Sequence, residues 1–277
     1  MKLHVYLAVV VALAVVLPGI ASADLIFSTG LPDGRMATLS RPDTGGVLET
    51  ESADDFIFST ATTIDHASFT GLLVGGDVAN ISGVDVEIYR VFPNDSTVPP
   101  SGNVLTRANS PSDVEFASRA DGVDMTFAVT DLGNFTVANS VINGVNIAPN
   151  QFTGGEGAQR GEEVRFDVTF TSPFVLPADH YFFVPQVAMS SGDFLWLSAP
   201  KPIVAPGTPF APDLQSWIRN GNMAPDWSRV GTDITHQGPF NAVFSLSGPA
   251  SVPEPSACLL FTLGAPWLLR LRRKKRA

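Results

Sequence analysis

The segment Asp213-Leu214-Gln215-Ser216-Trp217-Ile218-Arg219-Asn220, followed by Pro225-Asp226-Trp227-Ser228-Arg229, gathers two tryptophans and two arginines in a turn-rich stretch. Exposed indoles stack on the apolar faces of sugars, and Arg, Asn and Asp supply hydrogen bonds at the rim. Trp217, Arg219, Trp227 and Arg229 would then form a glycan platform. The same residues carry a second reading. Tryptophan is highly buried on average, so Trp217 and Trp227 could close one end of a core, with Arg219 and Arg229 bound to nearby carboxylates.

Carboxylates form the next group. Asp54-Asp55 precedes one strand-like stretch, Asp121-Gly122-Val123-Asp124 opens another and Glu162-Glu163 a third. Oxygen-rich turns can bind Ca²⁺, which takes 6 to 8 oxygen ligands. None of the three matches an EF-hand loop, so no cofactor is expected, with Ca²⁺ as the single candidate. Catalytic signatures are thin. Beyond His4, the histidines are His66, His180 and His236, with no His-Glu-x-x-His pair and no Gly-x-Ser-x-Gly elbow. A glycosidase needs only two facing carboxylates, and no pair stands out. Gly154-Gly155-Glu156-Gly157 lacks the lysine and the strand-to-helix setting of a phosphate loop.

The elements that must position these residues read as strands. Val164, Phe166, Val168 and Phe170 alternate with polar residues, as do Val84, Val86 and Ile88. Val123, Met125, Phe127 and Val129 repeat the pattern, and Phe240, Ala242, Phe244 and Leu246 form a last example. Period-2 alternation is the mark of a strand with one buried face. Further strands are predicted at Asp55 to Ser59, Ala67 to Val74, Tyr181 to Gln186 and Asp193 to Ser198. Gly- and Pro-rich stretches punctuate them, the longest from Ala199 to Pro212. No 3.6-residue apolar period appears outside the two ends. The expectation is an all-β domain over 24–248, an antiparallel β-sandwich of jelly-roll type, flanked by an N-terminal signal helix and a short C-terminal hydrophobic helix.

Both ends carry address signals. At the N-terminus, Lys2 precedes an apolar run from Val5 to Leu17, Pro18-Gly19 breaks it, and Ala21-Ser22-Ala23 supplies small residues. This predicts a signal peptide over 1–23, cut by signal peptidase between Ala23 and Asp24. After a linker at 249–252, the C-terminus has three parts: Pro253-Glu254-Pro255, an apolar run from Ala257 to Leu269, and a basic end that includes Arg272, Arg273, Lys274, Lys275 and Arg276. A run of about 13 residues rises roughly 20 Å as a helix, short of a bilayer core of ~30 Å. A brief membrane hold with the cations on the cytoplasmic side fits it better than permanent anchoring.

This tail, over 253–277, resembles the PEP-CTERM protein-sorting signal of Gram-negative bacteria. The resemblance implies that Pro253, Glu254 and Pro255 are recognised by an exosortase, a membrane transpeptidase-like enzyme that cuts near them. Their role would be that of a substrate. It also implies a cell-surface or extracellular location in bacteria that make exopolysaccharide and biofilm matrix, with a transient hold at the inner membrane.

Charge narrows the partners. From Asp24 to Ala250 there are 10 basic and 26 acidic side chains, a net charge of −16. Such a surface repels phosphate and argues against nucleic acid. The single cysteine, Cys258, lies in the tail, so the exported part has neither disulfide nor thiol nucleophile. The expected function is a structural or adhesive matrix component that is not an enzyme. A carbohydrate-binding module and a polysaccharide hydrolase are the alternatives, with extracellular polysaccharide the candidate partner.

Overall fold

The computed structural model describes residues 23–97, 99, 102–145 and 153–249. Within it, Ala23–Pro249 is one compact unit. The signal helix, the hydrophobic C-terminal helix, Ala21, and the tail residues Pro253, Glu254, Pro255 and Arg272 to Arg276 lie outside the described residues.

Among the described residues, fifteen strands follow one another: Asp24–Ser28 (β1), Met36–Leu39 (β2), Thr50–Phe58 (β3), Thr62–Val74 (β4), Ile81–Arg90 (β5), Ala117–Ala120 (β6), Met125–Val137 (β7), Asn139–Val141 (β8), Gln159–Leu176 (β9), Asp179–Met189 (β10), Asp193–Ala199 (β11), Trp217–Asn220 (β12), Ser228–Arg229 (β13), Asn241–Ala242 (β14) and Phe244–Gly248 (β15). They build two sheets. The first has nine strands with β4 as its spine. One edge of β4 pairs with β9 from Thr62↔Leu176 to Leu73↔Glu162, and β7 lies beyond β9. The other edge of β4 pairs first with β15 and then with β11. The second sheet runs β13-β12-β3-β10-β5-β6. All pairings between strands are antiparallel except β2 with β8, which is parallel. The all-β sandwich expected from the alternation is what forms.

The sheets face each other across an aromatic core. Phe69 stacks on Phe166 with ring centroids 4.7 Å apart, and Phe183 on Phe244 at 5.0 Å. Phe27, Phe56, Phe170, Phe174, Phe194 and Trp196 complete the layer. Gly71 on β4 is required here, because a Cβ at that position would collide with the Phe194 ring. The predicted inward residues Val84, Val86, Ile88, Val164, Phe166, Val168 and Phe170 are all buried. Val123 is not: it sits in the turn before β7 and is 81% exposed. Asp54-Asp55 lies inside β3 and not ahead of it, and Glu162-Glu163 lies inside β9.

Candidate functional site

The charged residues with the most unusual surroundings line the outer face of the second sheet. Alternation along β3 sends Phe56 and Phe58 into the intersheet core, with Asp54 on that side. Ala53 belongs to a separate cluster on the opposite face, with Tyr89, Phe182, Val184, Trp217 and Trp227. Glu51 shares that face. Its register partner on β12 is Arg219, and Trp217 lies opposite Ala53.

Here Arg219 grips Glu51 in a two-pronged ion pair, Nε to Oε2 and Nη2 to Oε1, the latter at 2.9 Å. Arg219 Nη2 also donates to the Tyr89 hydroxyl at 2.9 Å. That hydroxyl lies 2.8 Å from Glu51 Oε1 and 2.9 Å from Glu87 Oε2. A phenol has one hydrogen to donate, so the two carboxyl groups compete for it, and of the two it is Glu51 that Arg219 neutralises. Burial, and then the charge of Glu51, push the Glu87 carboxyl up to about 8. Burial and the same carboxylate push the Tyr89 hydroxyl up as well. Burial works against the charge on Arg219, but Glu51 more than offsets it and raises its pKa.

A loop layer roofs this network. The guanidinium of Arg219 stacks on the Trp227 ring at 4.4 Å, and Trp227 meets Tyr89 edge-on at 5.5 Å. Trp227 Nε1 donates to the Ser112 carbonyl, and Arg219 Nη1 to that of Asp113. Arg107 fastens the roof. Its guanidinium is buried and pairs with Asp226 and Asp113, each at 2.9 Å, with Phe92 against its face at 4.7 Å.

This arrangement corrects the glycan-platform expectation. Trp217 is 1% exposed and Trp227 0%. Neither ring offers a face on which a sugar could stack. Arg219 belongs to the buried network, and Arg229 pairs with Asp233 at 2.6 Å. The structure brings Trp217, Arg219 and Trp227 together as interior packing, while Arg229 forms a pair of its own on β13.

The acidic motifs are likewise engaged internally. Asp54 and Asp55 point to opposite faces of β3 and cannot converge on one ion. Asp54 accepts from Ala242 N at 2.8 Å and Ser216 Oγ at 3.2 Å, tying β3 to the first sheet. Burial, and then Asp55, raise its pKa well above the usual range. Asp55 accepts from Leu214 N and lies 2.7 Å from His180 Nε2. His180 thus stands on β10 paired to a buried aspartate. His66 pairs with its neighbour Asp65. Glu156 of the glycine-rich loop accepts from the main-chain N–H groups of Ile142, Asn143 and Gly144, so the protein's own side chain fills that anion-binding turn.

Among the described residues, no group of three or more His, Cys, Asp or Glu side chains is arranged to hold a metal ion. A cleft between Arg41 and Asp193 encloses about 30 Å³. That volume admits a water molecule or two, against the roughly 300 Å³ or more of a small-molecule site. The chain matches no protein-family model, no curated protein and no solved structure.

The sequence pattern reaches as far as Arg219 paired with a carboxylate beside buried tryptophans; it does not point to Glu51, Glu87 and Tyr89 as the partners, because these residues are scattered along the chain.

Proposed function

We propose that this chain is an exported surface or extracellular-matrix protein of a Gram-negative bacterium, sorted by an exosortase through its C-terminal signal. The observation that carries the reading is the tail itself: Pro253-Glu254-Pro255, an apolar run too short to span comfortably, and a basic end, in that order. The folded unit supports it in two ways. It spans Ala23–Pro249, the stretch of sequence between the two signals. Its first and last strands are also neighbours, with Asp24 opposite Gly248. A cut after Ala23 and another beyond residue 250 would both fall at the ends of this strand pair and leave every ladder intact.

The mature domain serves as a structural or adhesive matrix component without enzymatic activity. What supports this is the use of its acid–base residues. Glu51, Glu87, Tyr89 and Arg219 bond to one another under a roof, and Asp55 is bonded to His180. Replacing Pro253, Glu254 and Pro255 by alanine in the native host tests the sorting step. The expected result is retention of the uncut chain in the membrane fraction. Normal release of a shortened chain from the altered protein would remove the sorting assignment.

A further inference from the structure

The sheet edges differ sharply in length. The outer strands β6, β8 and β13 have four, three and two residues, and β1 has five. Short outer strands are one of the ways proteins protect an edge from pairing. β7 is the exception. It has 13 residues, its one strand partner among the described residues is β9, and Asp131 is its sole charge. A register shift between Asp131 and Gly133, where Gly133 takes φ +98°, divides it. The turn before the strand covers its start, where Met125 is buried, bridged to Asp121 and accepts from Gly122 N. This leaves Thr126–Asp131 as an open edge in an otherwise strongly acidic domain.

That segment is complementary to itself. An antiparallel copy placed about a two-fold axis through Ala128 sets Thr126 opposite Thr130 and Phe127 opposite Val129. Threonine pairs and aromatic–β-branched pairs are favourable cross-strand combinations. Asp131 then falls beside Met125, whose edge the Asp121–Gly122 turn already occupies, so the new ladder runs from Thr126 to Thr130 and sets no like charges opposite each other. Phe127 and Val129 rest against the main core but are only partly buried, and a second copy would cover them. We propose that β7 is a self-association edge, at which two copies of this chain join their nine-stranded sheets through antiparallel β7–β7 pairing centred on Ala128. The proposal does not depend on the sorting reading.

Directly opposed residues in an antiparallel pair have Cα atoms about 4.5–5.5 Å apart, within reach of a disulfide. The test uses the full-length chain in detergent, carrying Cys258→Ser so that an introduced thiol stands alone. Ala128→Cys should cross-link as a dimer under mild oxidation, while Thr60→Cys, at an exposed turn, should not. A mixture of Thr126→Cys and Thr130→Cys chains should cross-link where Thr126→Cys alone does not, which fixes the register. Adding Thr126→Lys and Thr130→Lys to Ala128→Cys sets lysine opposite lysine and should cut the dimer fraction by about tenfold. Cross-linking of Ala128→Cys no greater than that of Thr60→Cys would overturn the proposal. Equal and strong cross-linking of both would also overturn it, assigning association to another part of the chain.

Discussion

The two faces of the second sheet solve burial in opposite ways. The inner face meets the first sheet through phenylalanines, and Asp54 is its buried carboxyl group, held by Ala242 N and Ser216 Oγ. The outer face is closed to solvent around Arg219 and Trp227, and there it holds two arginines, glutamates and a tyrosine. Apolar packing on the inner face is lost in proportion to the volume removed, whereas a buried ion pair costs free energy unless its partners are all present. The outer face therefore depends on completeness, and the inner face on volume.

Breaking that completeness, or removing a ring from the inner face, should have the largest effects. Arg107→Ala leaves Asp226 and Asp113 buried without their cation and is expected to cost about 3–5 kcal/mol in urea unfolding. A loss below about 1 kcal/mol would mean that the roof opens to water. Phe166→Ala attacks the inner face through volume. It removes a buried ring stacked on Phe69, at about 3–5 kcal/mol by the same measurement. The faces separate when whole groups are replaced. Replacing Arg219 and Glu51 together by Met and Leu should cost far less than Arg219→Ala alone, because no orphan charge remains. Equal losses would contradict the description of the outer face.

The pH dependence sharpens the same contrast. Glu87 has a folded pKa of about 8 against an ordinary 4.5. Between those values the folded chain binds a proton that the unfolded chain has lost, so stability falls as pH rises through this window. Glu51, Tyr89, Glu115 and Glu49 face this group and set its position. Glu87→Gln should flatten this part of the urea-midpoint profile between pH 5 and 8. An unchanged slope would place the titration elsewhere, Asp54 being the next group to examine. The smallest effect is expected on the surface. Arg165 and Asp167 are each nearly half exposed, and Asp167→Asn should shift stability by no more than about 0.5 kcal/mol.

The inner face was largely legible in the sequence, and the outer face was not. Strands β5 and β9 show polar residues at every second position because one side of each meets water or a polar surface. In β12, Trp217, Ile218, Arg219 and Asn220 are all buried, so alternation carries no signal. The run from Glu51 to Asp55 has a turn-like composition, yet it forms the middle of a central strand. Its carboxylates are matched by residues far away along the chain: Glu51 meets Arg219, Asp54 meets Ala242, and Asp55 meets His180. Such pairings are created by strand order, which residue pattern does not encode. Type and spacing mark out Trp217 and Trp227 in the sequence, and their burial decides which of the two readings holds.

The central claim concerns the fate of the two ends, and mass spectrometry of both termini of the protein isolated from its native host tests it most directly. The expected product is a chain that begins at Asp24 and ends near Pro253, with the basic tail gone. A chain that still ends at Ala277 in the membrane fraction would contradict it and make the protein tail-anchored.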